Sequence, residues 1–178
     1  MTTHIALLRG INVGRAKRVA MADLRNVMAN LGYTNVRTLL NSGNVVFDSP
    51  RRVTGSTAAA IRDAVAKTTG VTAAVIVVSA ADLAAVVAEN PLGPVVTNPS
   101  RCLVAFPAAI ADLAKAAALV KGDWAPDQFA VGTRAAYLWC ASGILASELA
   151  KAFDRVMGAA VTARNWATVL KLHAMSRE

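Results

Sequence analysis

Short continuous apolar runs alternate along the chain with stretches whose apolar residues recur at helical spacing, and this predicts alternating strands and helices. Residues 4–9 read as a strand. From 20 to 31, Met21, Leu24, Met28 and Leu31 recur at helical spacing ahead of Gly32, which can close a helix in the left-handed conformation. VRTLL at 36–40 and NVVFD at 44–48 flank Asn41, Ser42 and Gly43, the signature of a hairpin. Ser56 can cap a helix running through Ile61 and Val65 to Gly70; residues 73–78 read as a buried strand, and Ser79 with Asp82 opens a further helix that ends near Pro91. The order is βαββαβ plus one helix, the split βαβ of a ferredoxin-like unit.

NPLGPVVTNPS at 90–100 holds three prolines, a glycine and no charge, and reads as a linker or an ordered crossover. Beyond it the outline repeats: strand 101–106, helix 108–119, strands 127–132 and 135–140, helix 145–157 built on Leu145, Leu149, Phe153 and Val156, strand 159–163 and helix 165–175. The expected fold is therefore α+β, with one ferredoxin-like lobe at 1–90, a linker at 91–100 and a second lobe at 101–178, each carrying an extra C-terminal helix. AVIVV at 74–78 and LVAF at 103–106 are apolar on both alternating faces, so each sheet's second face needs a cover. The other lobe, the extra helices or a second copy of the chain in a homodimer could supply it.

The composition, 55% hydrophobic with 17% charged, is that of a folded globular chain. The most apolar stretch is interrupted by Ser79 and Asp82, and MTTHIALLRG has no basic segment ahead of an apolar run. Neither a membrane span nor a signal peptide is expected, and the expected compartment is the cytoplasm. There Cys102 and Cys140, both in strand-like runs, are expected as buried thiols. The net charge of +8 is uneven: residues 1–52 hold eight basic against two acidic side chains, and residues 151–178 five against two. Such a field favours anionic partners.

No pair among Cys102, Cys140, His4 and His173 has metal-ligand spacing, so neither a metal nor a cofactor is expected. The acidic residues are dispersed, and no catalytic residue can be named. Candidate chemistry concentrates in three polar stretches. In LLRGINVG at 7–14, Gly10 and Gly14 can take positive φ and bare their backbone N–H groups, while Arg9, Arg15, Lys17 and Arg18 add cationic donors. NSGN at 41–44 offers Asn41, Ser42 and Asn44, residue types that a hairpin turn also explains. TARNW at 162–166 sets Arg164 and Asn165 where a strand gives way to a helix, with Asn165 also suited to capping it.

Together LLRGINVG, SGNVVF at 42–47 and TARNWATVLKL at 162–172, with KRVAMADLR at 17–25, resemble a bacterial family known as domain of unknown function 1697. Where that family often has a further glycine after the loop, this chain has Arg15. The resemblance implies a two-lobed ferredoxin-like α+β protein and names no substrate. A single site built from all three stretches, with Arg9, Gly10, Asn12, Gly14, Asn41, Ser42, Asn44, Arg164 and Asn165, accounts for them at once. The expected function is a binding module for a small anionic or phosphorylated ligand. An enzyme acting on such a ligand is the alternative, although no proton carrier stands out. Nucleic acid is the lesser reading, because HIALLRG has no aromatic residue and NVVFD only Phe47.

Overall fold

The computed structural model describes residues 1–178 and has mixed α+β architecture with two four-stranded antiparallel sheets. The chain divides into two compact units, Met1–Ala81 with Leu172–Glu178, and Asp82–Lys171.

In the first unit the strands are β1 (Thr2–Arg9), β2 (Thr34–Leu39), β3 (Asn44–Ser49) and β4 (Ala74–Ser79), in the order β2-β3-β1-β4. Helices α1 (Met21–Asn30) and α2 (Gly55–Thr69) bury Leu24, Val27, Met28, Ile61 and Val65 against Ala6, Leu8, Val45 and Phe47. The period-2 register puts Ile5, Leu7 and Val46 on the opposite face, and these are buried as well. On that face Arg37, level with Val46, donates to the Met175 carbonyl at 2.7 Å and pairs with Glu178. The chain's last residues are thereby tied to the first sheet. The cap of α2 is Thr54 rather than Ser56, since the helix begins at Gly55, two residues earlier than a Ser56 cap would start it, and the Thr54 N–H donates to the Thr57 hydroxyl.

In the second unit β5 (Cys102–Pro107), β6 (Gln128–Val131), β7 (Ala136–Trp139) and β8 (Val161–Asn165) adopt the order β6-β7-β5-β8. Its core joins Ala105, Leu138 and Val161 to Leu113, Leu149, Phe153 and Met157. The opposite face carries Cys102, Val104, Phe106, Tyr137 and Thr162, all buried. There the Tyr137 hydroxyl donates at 2.8 Å to the Val86 carbonyl of helix α3 (Ala80–Glu89), most of which belongs to this unit. The 91–100 segment, expected as a linker, holds 3-10 turns at Gly93–Val95 and Pro99–Arg101 and lies inside this unit.

Strand β8, expected at 159–163, begins at Val161 after a 3-10 turn, and two helical segments of this unit also differ from expectation. The helix expected at 108–119 is a 3-10 run over Ile110–Lys121. Its inward residues Leu113, Ala116 and Leu119 are three apart, a spacing that falls on one face at three residues per turn and drifts off it at 3.6. Helix α4 (Glu148–Met157) starts late because Ser147 caps it, its hydroxyl accepting from the Ala150 N–H at 2.9 Å. Leu145 therefore falls in the preceding 3-10 turn and is 94% exposed, while Ala152 and Met157 complete the buried stripe with Leu149 and Phe153.

Candidate functional site

The first loop leaves β1 after Arg9, which is half-buried and level with Ala74. Gly10, Asn12, Gly14 and Lys17 all have positive φ, from 53° to 71°. Gly10 and Gly14 have open space where a side chain would begin, so glycine serves the backbone there and no neighbour demands it. Ile11 and Val19 anchor the two ends of the loop in the core. Between those anchors Val13, Arg15, Lys17 and Arg18 are exposed.

Asn12 holds the loop in this shape. Its Nδ2 donates to the Val19 carbonyl at 2.9 Å and to the Asn41 carbonyl at 2.7 Å, and its Oδ1 accepts from the Val19 N–H at 2.9 Å. Its own N–H donates to the Lys17 carbonyl at 2.9 Å. One carboxamide thus closes the loop on itself and joins it to the hairpin turn, and asparagine tolerates the left-handed backbone better than other side chains.

The hairpin turn begins at Leu40, which has φ +57° and leaves β2. Gly43 is the glycine that space requires: a Cβ there would sit 2.7 Å from the Leu8 Cβ and 3.0 Å from the Ile11 Cδ1, and its φ is +80°. Its carbonyl accepts from the Leu8 N–H at 2.8 Å. Asn44 is fully buried, and its Nδ2 donates to the Leu39 carbonyl and the Ser42 hydroxyl. Asn41 and Ser42 are exposed beside the first loop. Two of the three polar stretches therefore come together within the first unit.

The third stretch belongs to the second unit. Arg164, on β8 opposite Val104, donates to the Thr162 hydroxyl at 2.9 Å and the Ala163 carbonyl at 2.8 Å. Burial pulls its guanidinium pKa down to about 10. Asn165 caps α5 (Trp166–Met175), its Oδ1 accepting from the Thr168 N–H at 2.9 Å.

Residues 1–137 match the model of a family described as a protein of unknown function, DUF1697. The chain belongs to that family. The match takes in the first loop and the hairpin turn and stops short of Arg164. A solved structure, that of the conserved bacterial protein SP0830 from Streptococcus pneumoniae, is similar over 98% of each chain, with a TM-score of 0.78 and 22% sequence identity. At that identity the likeness is one of fold. No curated protein matches this DUF1697 chain.

Elsewhere in this DUF1697 protein, no group of three or more His, Cys, Asp or Glu side chains gathers in a way that could hold a metal ion, and no helix is long and apolar enough to cross a membrane. Cys102 and Cys140 are buried free thiols, and burial raises both, Cys102 to about 11. Neither is poised as a nucleophile. The sequence reading passes over one cationic feature, the exposed pair Arg51 and Arg52 directly ahead of the cap of α2. The available signal was two adjacent arginines followed by VTGST.

Proposed function

We propose that this protein is a binding module for a small anionic or phosphorylated ligand, held by the first loop and the hairpin turn beside it. The observation that carries the reading is the Asn12 carboxamide, which fixes a loop of four left-handed residues against the turn and leaves Arg15, Lys17 and Arg18 projecting. A preformed cationic loop binds an anion without the entropy cost of ordering first. Arginine guanidinium groups engage phosphate oxygens in bidentate fashion, and uncovered backbone N–H groups add to them. The loop and turn offer arginines, a lysine, carboxamides and a hydroxyl but no histidine or carboxylate, and this favours binding over acid-base catalysis. Arg164 stays a candidate contact in its own right.

Each unit is read here as a ferredoxin-like split βαβ. The antiparallel orders β2-β3-β1-β4 and β6-β7-β5-β8 support this. Phe47, the one aromatic residue of the first three strands' core face apart from His4, is buried beneath Tyr33 and beside His4. It offers no platform for stacked bases, which favours a small anion over RNA.

The test is calorimetric titration with pyrophosphate. Replacing Arg15, Lys17 and Arg18 together with alanine is expected to weaken binding at least tenfold with little loss of stability, because all three are exposed. Unchanged affinity in that variant refutes the loop as the site, and Arg164→Gln tests the second unit's arginine separately.

A further inference from the structure

At the end of the first sheet opposite the first loop, the start of β1 and the ends of β3 and β4 surround two adjoining clefts. The larger, about 600 Å³, is lined by Met1, His4, Ser49, Arg51, Arg52 and Ser79 among others, within the size range of small-molecule sites. The smaller, about 210 Å³, lies between Tyr33 and the first turn of α2. Arg51 and Arg52 are exposed and line both.

The strand register explains the sign of charge here. His4 lies level with Ser79 on one side and Phe47 on the other, and Thr2 level with Ser49, so His4, Ser49 and Ser79 share the helix-covered face. Asp48, one residue before Ser49, points to the opposite face, where it accepts from the Thr3 hydroxyl at 2.7 Å and the Asn35 Nδ2 at 3.2 Å. The pleat keeps the segment's carboxylate away from its arginines. Ser49, 2% exposed, fixes the turn that carries them: its hydroxyl donates to the Arg51 carbonyl at 2.8 Å and accepts from the Arg51 N–H at 3.3 Å.

We propose that these clefts form a second ligand site, which takes a phosphate monoester: the phosphate sits on Arg51 and Arg52, and the organic group occupies the larger cleft beside His4. Two adjacent guanidinium groups match the charge and the paired oxygens of a phosphate. The roomier cleft, with Met1, Pro50 and Val53 in its wall, accepts an apolar substituent. The site lies at the other end of β1 from the first loop, roughly 25 Å along an eight-residue strand. It stands or falls independently of the first.

The experiment is an NMR titration of the full chain, labelled with 15N, using phenyl phosphate and inorganic phosphate as probes. Phenyl phosphate is expected to move the amides of Ser49, of residues 51–57 and of residues 79–81. The double variant Arg51→Ala, Arg52→Ala should weaken it at least tenfold, whereas the triple alanine variant of Arg15, Lys17 and Arg18 should leave it unchanged. Inorganic phosphate should bind the same amides more weakly. Shifts centred on residues 12–18, wild-type affinity in the double variant, or equal affinity for the two probes would each overturn the proposal.

Discussion

Replacing Asn12 with alanine removes three hydrogen bonds, at 2.7, 2.9 and 2.9 Å, that tie the first loop to Val19 and to the hairpin turn. A net hydrogen bond contributes roughly 1 kcal/mol. The bond to the Asn41 carbonyl is solvent-exposed and water can replace it, so about 2 kcal/mol is at stake. Alanine at φ +55° adds about 1 kcal/mol of backbone strain. The expected loss is therefore about 2–3 kcal/mol, or about 5–10 °C in Tm for a chain of this length. Asn12→Gly loses the same bonds without the strain, so it should recover about 1 kcal/mol of that loss. Asn12→Asp would turn a carboxylate oxygen toward two carbonyls and should be at least as damaging as alanine. Differential scanning calorimetry measures the stabilities, and amide hydrogen exchange at Val19 shows whether the staple has opened. A Tm within 1 °C of wild type for Asn12→Ala, with Val19 protection intact, would refute the role given to this residue and weaken the case for a preformed anion loop.

Gly43→Ala should cost about 2–4 kcal/mol in urea denaturation, because its Cβ would meet backbone-proximal atoms of Leu8 at 2.7 Å with φ at +80°, whereas Gly14→Ala, with open space around it, should show only the strain of its positive φ. Tyr137→Phe deprives the Val86 carbonyl of a buried 2.8 Å hydrogen bond and should destabilise by about 1–2 kcal/mol on the same measurement. Burial raises the Cys102 thiol to about 11, so the unfolded chain gives up its proton first. The stability this thiol contributes is whole below about pH 9 and is lost as pH rises toward 11; the fall in urea midpoint across that window should be shallower in Cys102→Ala. Glu178→Ala should change stability by less than about 0.5 kcal/mol, since its pairing carboxylate is 68% exposed, while Arg37→Ala, which also loses the bond to the Met175 carbonyl, should cost measurably more.

The α+β class and the strand-helix order were legible in the chain because they rest on local pattern: Leu24 and Met28, two of the three buried residues of α1, followed from helical spacing, and β3 from its apolar run after the turn residues. Gly32 and Gly43 announced turns through their backbone freedom, and the cationic first loop was visible as charge. What the pattern could not determine was what each polar side chain bonds to. Asn12, Asn44 and Asn165 look alike in sequence, yet the Asn12 amide bridges 29 residues to the turn, while the Asn44 amide donates to Leu39 and Ser42 of its own hairpin and Asn165 caps its own helix. Long-range pairing depends on which strands become neighbours, and local spacing carries no such information. The 3-10 run at Ile110–Lys121 likewise required the packing surface, since alanine-rich sequence is compatible with either helix. Membership of the two units was decided the same way: α3 follows the first sheet in the chain, but its Val86 carbonyl meets Tyr137, and Leu172–Glu178 follow the second sheet but are held by Arg37. Burial of each sheet's second face could be anticipated from strands that are apolar on both faces. The segment chosen to help cover it depended on tertiary contacts made across 51 and 138 residues of chain.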